Sequence, residues 1–212
     1  MYSLKLKITF LAVFVLVSAA LAVPGPSFAG APTDRVKTAA DKVIQVLKDP
    51  ALKGKAKDKE RRAKIRQAVN NVFNFEEMAK RSLATYWKGR SDKEKKEFVD
   101  LFSDLLERSY INRIESYSDE KIVYDGEKLD DGYAVVNSRF LTRSREEIPV
   151  DYKLTEKDGQ WSVYDLVIEN VSLVNNYRIQ FNKIIRSSSY EDLVRKMKNK
   201  SESEALVSAP GA

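Results

Sequence analysis

The stretch Trp161-Ser-Val-Tyr-Asp-Leu-Val-Ile-Glu-Asn-Val-Ser-Leu-Val-Asn-Asn-Tyr-Arg-Ile-Gln-Phe181 decides how the chain folds. Trp161 to Ile168 is dense in aromatic and β-branched residues, which suit a pleated, half-buried strand. After a short turn, Ser172 to Arg186 carries apolar residues at helical spacing. Just upstream, Glu156-Lys-Asp-Gly159 reads as a hairpin turn, so this strand pairs antiparallel with the one before it. There Ile148, Val150, Tyr152 and Leu154 alternate strictly with other positions. Pro149 predicts that this strand, or that end of it, lies at a sheet edge. Further back, Tyr133 to Leu141 is a long period-two segment and Lys121 to Tyr124 a short one, punctuated by Gly126 and Gly132.

The first part of the chain has helical periodicity instead. Asp34 precedes a stripe of Val36, Ala39, Ala40, Val43 and Leu47, which Asp49-Pro50 ends. Lys53 to Arg66 holds eight basic residues against Asp58 and Glu60, and its second half continues into Ile65, Val69, Val72 and Phe73 as a second helix. Asn74 with Glu77 resembles a capping box ahead of Phe75, Met78, Ala79, Ser82 and Leu83. Trp87, Gly89 and Ser91 mark a break. Ser91 with Glu94 is a second capping box, opening a strongly amphipathic helix with Phe98, Leu101, Phe102, Leu105 and Leu106, and Tyr110 one turn on. Helical signals stop near Ser116. They return after the strands at Ser172 to Arg186 and, behind Ser189 and Asp192, at Tyr190 to Lys200. Helices, then hairpin-linked strands, then helices predict an α+β fold: an antiparallel sheet of about four strands with one face covered. The linkers are too short for a second domain, so residues 30–200 read as one unit and 201–212 as a disordered tail.

Composition removes several chemistries. The 212 residues include no cysteine and no histidine, which excludes thiol nucleophiles, histidine triads, His/Cys zinc sites and disulfides. No metal, cofactor or catalytic residue is expected. Lys5 and Lys7, an apolar run from Ile8 to Val23, the breaker Pro24-Gly-Pro26 and the small residues of Ser27-Phe-Ala29 read as an export signal over residues 1–29, cleaved near Ala29. The run is shorter than the ~20 residues of a membrane span. A lipoprotein anchor would need a cysteine at the cleavage point. The net charge of +6 falls to +4 when Lys5 and Lys7 leave with the signal. In an exported protein that excess points away from nucleic acid and toward lipid headgroups or protein partners.

The apolar side chains of the Phe98–Tyr110 helix face the same core as Val135, Val150, Tyr152, Val163 and Phe181. Such a face makes either a filled core or, where helices leave a gap over a twisted sheet, a cavity for an apolar ligand. Composition does not choose between them. Asp165 beside Tyr164 reads either as a carboxylate in an apolar pocket or as a satisfied strand-end residue. The Lys53–Arg66 run reads as a solvated face or as a docking surface for anionic membrane or an acidic partner.

From Asp34 to Leu193 the chain resembles the MlaC family, periplasmic carriers that hold a phospholipid by its acyl chains. The resemblance rests on Phe75 to Leu83, Trp87, the Phe98/Phe102 helix with Tyr110, the Ile148/Val150/Tyr152 alternation, Gly159 with Trp161, Tyr164-Asp165, and Ser172-Leu-Val with Tyr177-Arg178 and Phe181. Tyr86 and Asn170 depart from it, standing where the family usually has glycine. Asn170 can adopt the left-handed backbone at modest cost. The resemblance implies a curved sheet wrapped by helices, similar to the NTF2-like cone, with acyl chains between sheet and helices and the headgroup near the mouth. The lining it implies is Met78, Phe98, Phe102, Leu105, Leu106, Tyr110, Val135, Val150, Tyr152, Val163, Val171, Tyr177 and Phe181. Arg178 is then either a phosphate contact at the mouth or an ion-pair partner of Asp165 and Glu169. The implied partners are a diacyl phospholipid, an inner-membrane ABC transporter with an MCE-domain subunit, and an outer-membrane lipoprotein–porin complex. Two other classes stay open: an exported NTF2-like isomerase or hydrolase using Asp165, and a ligand-free periplasmic adaptor working through its helices.

Overall fold

A five-stranded antiparallel meander organises the chain, in the order β1 (Lys121–Asp130), β2 (Tyr133–Leu141), β3 (Glu147–Lys157), β4 (Gln160–Ile168) and β5 (Val171–Ser172). The computed structural model describes residues 32–117, 120–142 and 144–199, so the expected export signal and C-terminal tail lie outside the described residues. Asp131-Gly132 and Asp158-Gly159 make two of the turns. All four residues have positive φ, as tight hairpin turns require. Glu169 and Asn170 turn β4 into β5, and Asn170 takes the left-handed backbone (φ 66°).

Two irregularities set the phase of the side chains. A bulge between Tyr124 and Gly126 lets β1 run on to Asp130, well beyond its short period-two segment. A second leaves Tyr164 without an opposite number between the pairs Leu154–Val163 and Lys153–Asp165. That extra residue flips the alternation along β4, so Val163 and Leu166 face the same side. Pro149 sits at an end, not on an edge strand: β3 is central, but the β3–β4 ladder stops at Val150–Ile168. The missing proline N–H therefore breaks no ladder bond.

Six α-helices among the described residues pack with the sheet: α1 (Pro32–Lys48), α2 (Asp58–Asn70), α3 (Phe75–Leu83), α4 (Asp92–Glu115), α5 (Leu173–Ser187) and α6 (Tyr190–Lys198). α1 begins at Pro32, which puts Asp34 inside its first turn instead of at the cap. Ser91 and Glu94 form the reciprocal capping box of α4: Ser91 N–H donates to Glu94 Oε2 at 2.8 Å, and Glu94 N–H to Ser91 Oγ at 3.3 Å. Asn74 caps α3 in one direction, accepting from Glu77 N–H at 2.9 Å, while the Glu77 carboxylate turns to Arg81 and Lys80. The edge of β4 that two-residue β5 leaves uncovered is taken by the segment before α3. Val163 N–H donates to Val72 C=O and its C=O accepts Asn74 N–H, both at 2.8 Å.

The apolar residues form two clusters. One joins α3, the first half of α4, α5 and α6. The other lies on the inward face of the sheet, with Ala134, Val136, Val150, Tyr152, Leu154, Trp161 and Val163 meeting Val36 and Val72. Val136, not Val135, points inward on β2, because the inward set is Ala134, Val136 and Ser138. A small residue and a hydroxyl at two of those positions conceal the phase.

Candidate functional site

The inward sheet face is not fully covered. Between it, α1, α2 and the second half of α4 lies a cavity of about 510 Å³. Its floor is Ile148, Val150, Tyr152, Val163, Leu166 and Ile168 from β3 and β4. One wall is α1, whose stripe of Val36, Ala39, Ala40, Val43, Ile44 and Leu47 faces it throughout. Ile65 and Val69 of α2 continue that wall, and Leu106, Tyr110, Ile111 and Ile114 of α4 stand opposite. These walls are almost wholly hydrocarbon, which suits an apolar guest and disfavours water.

Among the described residues, the charged members of the lining are Arg62, Arg66, Glu107, Arg113 and Glu120, all of them half-buried or exposed, which puts them toward the cavity's margin. Three of these groups, Arg62, Arg66 and Glu107, are held in ion pairs between α2 and α4. Arg62 and Arg61 both bond Glu115, at 2.7 and 2.8 Å, and Arg66 bonds Glu107 at 2.6 Å. Burial pushes the Glu115 carboxyl up, but the bonds from Arg62 and Arg61 outweigh it and hold it below its ordinary value. The Tyr110 hydroxyl, on the same lining, is buried and finds no hydrogen-bond partner among the described residues. Burial also raises the pKa of that phenol.

The structure divides the residues the sequence singled out. Met78, Leu106, Tyr110, Val150, Tyr152 and Val163 come together around the cavity. Phe98, Phe102, Leu105, Tyr177 and Phe181 do not: they are packed solid in the helical cluster. There Phe102 meets Tyr177 edge-on at 5.2 Å, and Phe98 meets Phe181 at 5.7 Å. Val135 lies on the outer face of β2, and Val171 is 42 % exposed in the β4–β5 turn region. The whole α1 wall was missed as a wall, although its stripe was visible in the sequence.

Arg178 is not at the cavity margin. It is exposed on α5 and shares a separate polar depression of about 380 Å³ with Arg81, Lys153, Tyr164 and Asp165. Its expected ion pair with Asp165 is made by Lys153 instead, at 3.4 Å. Asp165 is itself buried and fully engaged, accepting Ser172 Oγ–H at 2.7 Å and Val174 N–H at 3.0 Å at the start of α5. Among the described residues no cluster of acidic side chains could hold a metal ion, and no helix is long and apolar enough to cross a membrane.

The family model described as "MlaC protein" matches residues 37–199. The chain is similar to the intermembrane phospholipid transport system binding protein MlaC of Haemophilus influenzae. The two are 25 % identical over 167 residues, which cover 76 % of this chain and 78 % of the relative. It also shares its fold with a phospholipid-binding protein from Ralstonia solanacearum solved in complex with a phospholipid. That likeness has a TM-score of 0.73 at 23 % identity and covers 84 % of this chain and 99 % of that one. The match over most of its length shows that the chain belongs to the MlaC family.

Proposed function

We infer that the protein is a phospholipid-binding carrier of an intermembrane transport system, holding the lipid by its acyl chains in the cavity between sheet and helices. The observation that supports this most directly is a hydrocarbon-walled cavity whose charged lining residues, among those described, are half-buried or exposed. Each buried methylene contributes roughly 0.8 kcal/mol, so about 30 methylenes from two tails gain on the order of 24 kcal/mol gross. A carrier must offer a dry surface of comparable worth, and side chains such as Val150, Val163 and Ile168 supply it. Headgroup contacts then need contribute little, and several lipid classes of equal chain length should bind alike.

In this reading the protein works in the periplasm. It exchanges lipid between an inner-membrane ABC transporter with an MCE-domain subunit and an outer-membrane lipoprotein–porin complex, helping to keep phospholipid out of the outer leaflet. A hydrolase or isomerase built on Asp165 fits the geometry poorly, since that carboxylate caps α5 and lies outside the cavity lining.

Organic extraction of natively purified protein followed by mass spectrometry tests the carrier directly. Stoichiometric phospholipid with mixed headgroups is expected. A homogeneous protein that comes out empty, and stays empty after incubation with phospholipid vesicles, sinks the reading.

A further inference from the structure

The positive charge of this protein is concentrated in one place. Residues 32–70, the hairpin of α1 and α2 with its connection, hold twelve basic side chains against five acidic ones. The rest of the chain has one more acid than base, so this hairpin accounts for the entire net charge of +6. Ion pairs hold part of that charge, including those from Glu115 and Glu107 of α4 to Arg61, Arg62 and Arg66. Asp49 caps Ala51 N–H, Asp58 bonds Arg61, and Glu60 is shared between Lys57 and Lys64. Lys53, Lys55 and Lys59 are exposed and make no ion pair among the described residues.

The same hairpin is the wall of the cavity. Lys59, Arg62 and Arg66 follow one another at helical spacing along one side of α2, and the latter two border the cavity. The positive face therefore runs directly onto the cavity's margin. We propose that this face, centred on Lys53, Lys55 and Lys59, docks on an anionic phospholipid bilayer and presents the cavity margin to it. This rests on the carrier reading above, which supplies the reason for such an approach.

The chemistry favours a bilayer over a protein partner. The segment from Asp49 to Lys64 contains no aromatic residue and no methionine, and its unpaired charges are lysines. Lysine is a strongly hydrated charge on a flexible stem, depleted from the cores of protein interfaces. It suits a diffuse field of many phosphates, with which it needs no fixed geometry.

The test is co-sedimentation of the purified protein with vesicles of phosphatidylcholine alone or mixed with phosphatidylglycerol, at low and high salt. Binding is expected only with the anionic vesicles, and it should weaken with salt. Each lysine near such a surface counts for about fivefold, so a Lys53→Gln, Lys55→Gln, Lys59→Gln variant should bind roughly 100-fold more weakly. A variant with Lys128→Gln, Lys157→Gln and Lys183→Gln loses the same charge elsewhere and should bind nearly as the parent does. Equal losses in the two variants, or no binding of the parent at low salt, overturn the proposal. So does a parent that ignores vesicles while its hairpin lysines are needed to bind an isolated protein of the transport system. Phospholipid extracted from the same preparations reports separately on the carrier reading, because none of the six lysines lines the cavity.

Discussion

The carboxylate of Asp165, in β4, accepts the backbone N–H of Val174 in the first turn of α5 at 3.0 Å. With its other oxygen it holds Ser172 Oγ–H at 2.7 Å, and that same hydroxyl oxygen accepts Asn175 N–H at 3.1 Å. Lys153 balances the charge from β3. The strand thus positions a helix of the helical apolar cluster, and the residue that looked most catalytic in the sequence is a structural joint.

Removing that joint should cost stability and nothing else. Asp165→Ala leaves Val174 N–H without its partner and Lys153 without its counter-charge, for a loss of about 3 kcal/mol. Asp165→Asn keeps an acceptor and should lose about 1 kcal/mol. Urea denaturation measures both. Lipid content per folded molecule should stay at the parental level in each, and an Asn variant that folded normally but lost its lipid would contradict this assignment.

α4 has two fates along one helix. Its first half, with Phe98, Phe102 and Leu105, is interlocked with α5 and α6, whereas Leu106, Tyr110, Ile111 and Ile114 border the cavity. Phe102→Ala should therefore lower stability by 3–5 kcal/mol, roughly the general cost of truncating a buried ring, without emptying the protein of lipid. Ala40→Trp does the reverse. The indole projects from α1 into free space, so thermal stability should hold while extracted phospholipid falls several-fold. If the Phe102 variant, still folded, were the empty one, the cavity would lie elsewhere.

Why the sequence put Phe98, Phe102 and Leu105 in the lining together with Leu106 and Tyr110 has a physical explanation. An amphipathic stripe shows that a helix face leaves water, but not whether it meets side chains or a void. The order of elements, the caps at Ser91 and Ser189, and the Asp-Gly turn at Gly159 are local chemistry, and all were legible. The α1 stripe was equally legible, yet its partner is a sheet that begins only at Lys121. On β2, adjacent Val135 and Val136 offer two phases, and the inward one is disguised by Ala134 and Ser138. On β4, the bulge at Tyr164 breaks the period of two, so alternation alone does not place Leu166 beside Val163.

The Glu115 cluster makes stability depend on acid in a defined direction. Its carboxyl is held below the ordinary value in the folded protein, so the unfolded chain takes up a proton first as pH falls. The contribution is fully present above the unfolded carboxylate pKa of about 4.3 and is lost as pH drops through the lower folded value. Glu115→Gln should cost about 2 kcal/mol at neutral pH, since two arginines lose a charged acceptor. The gap between parent and variant should close below about pH 4. Denaturation curves across that range decide it, and a gap that widened with acid would refute the sign.

Tyr110 offers the opposite kind of test, a group whose removal should not hurt. Its ring borders the cavity, but its hydroxyl is buried with no hydrogen-bond partner among the described residues. Desolvating a hydroxyl without returning a bond costs about 1–3 kcal/mol, and phenylalanine keeps the ring while discarding that penalty. Tyr110→Phe should be as stable as the parent or up to about 1 kcal/mol more so, with thermal melts as the measure. Lipid content should be unchanged, because the hydrocarbon surface presented to the tails is the same. A loss of more than about 1 kcal/mol would mean that the hydroxyl makes a bond in solution, and its partner would have to be sought along the cavity wall.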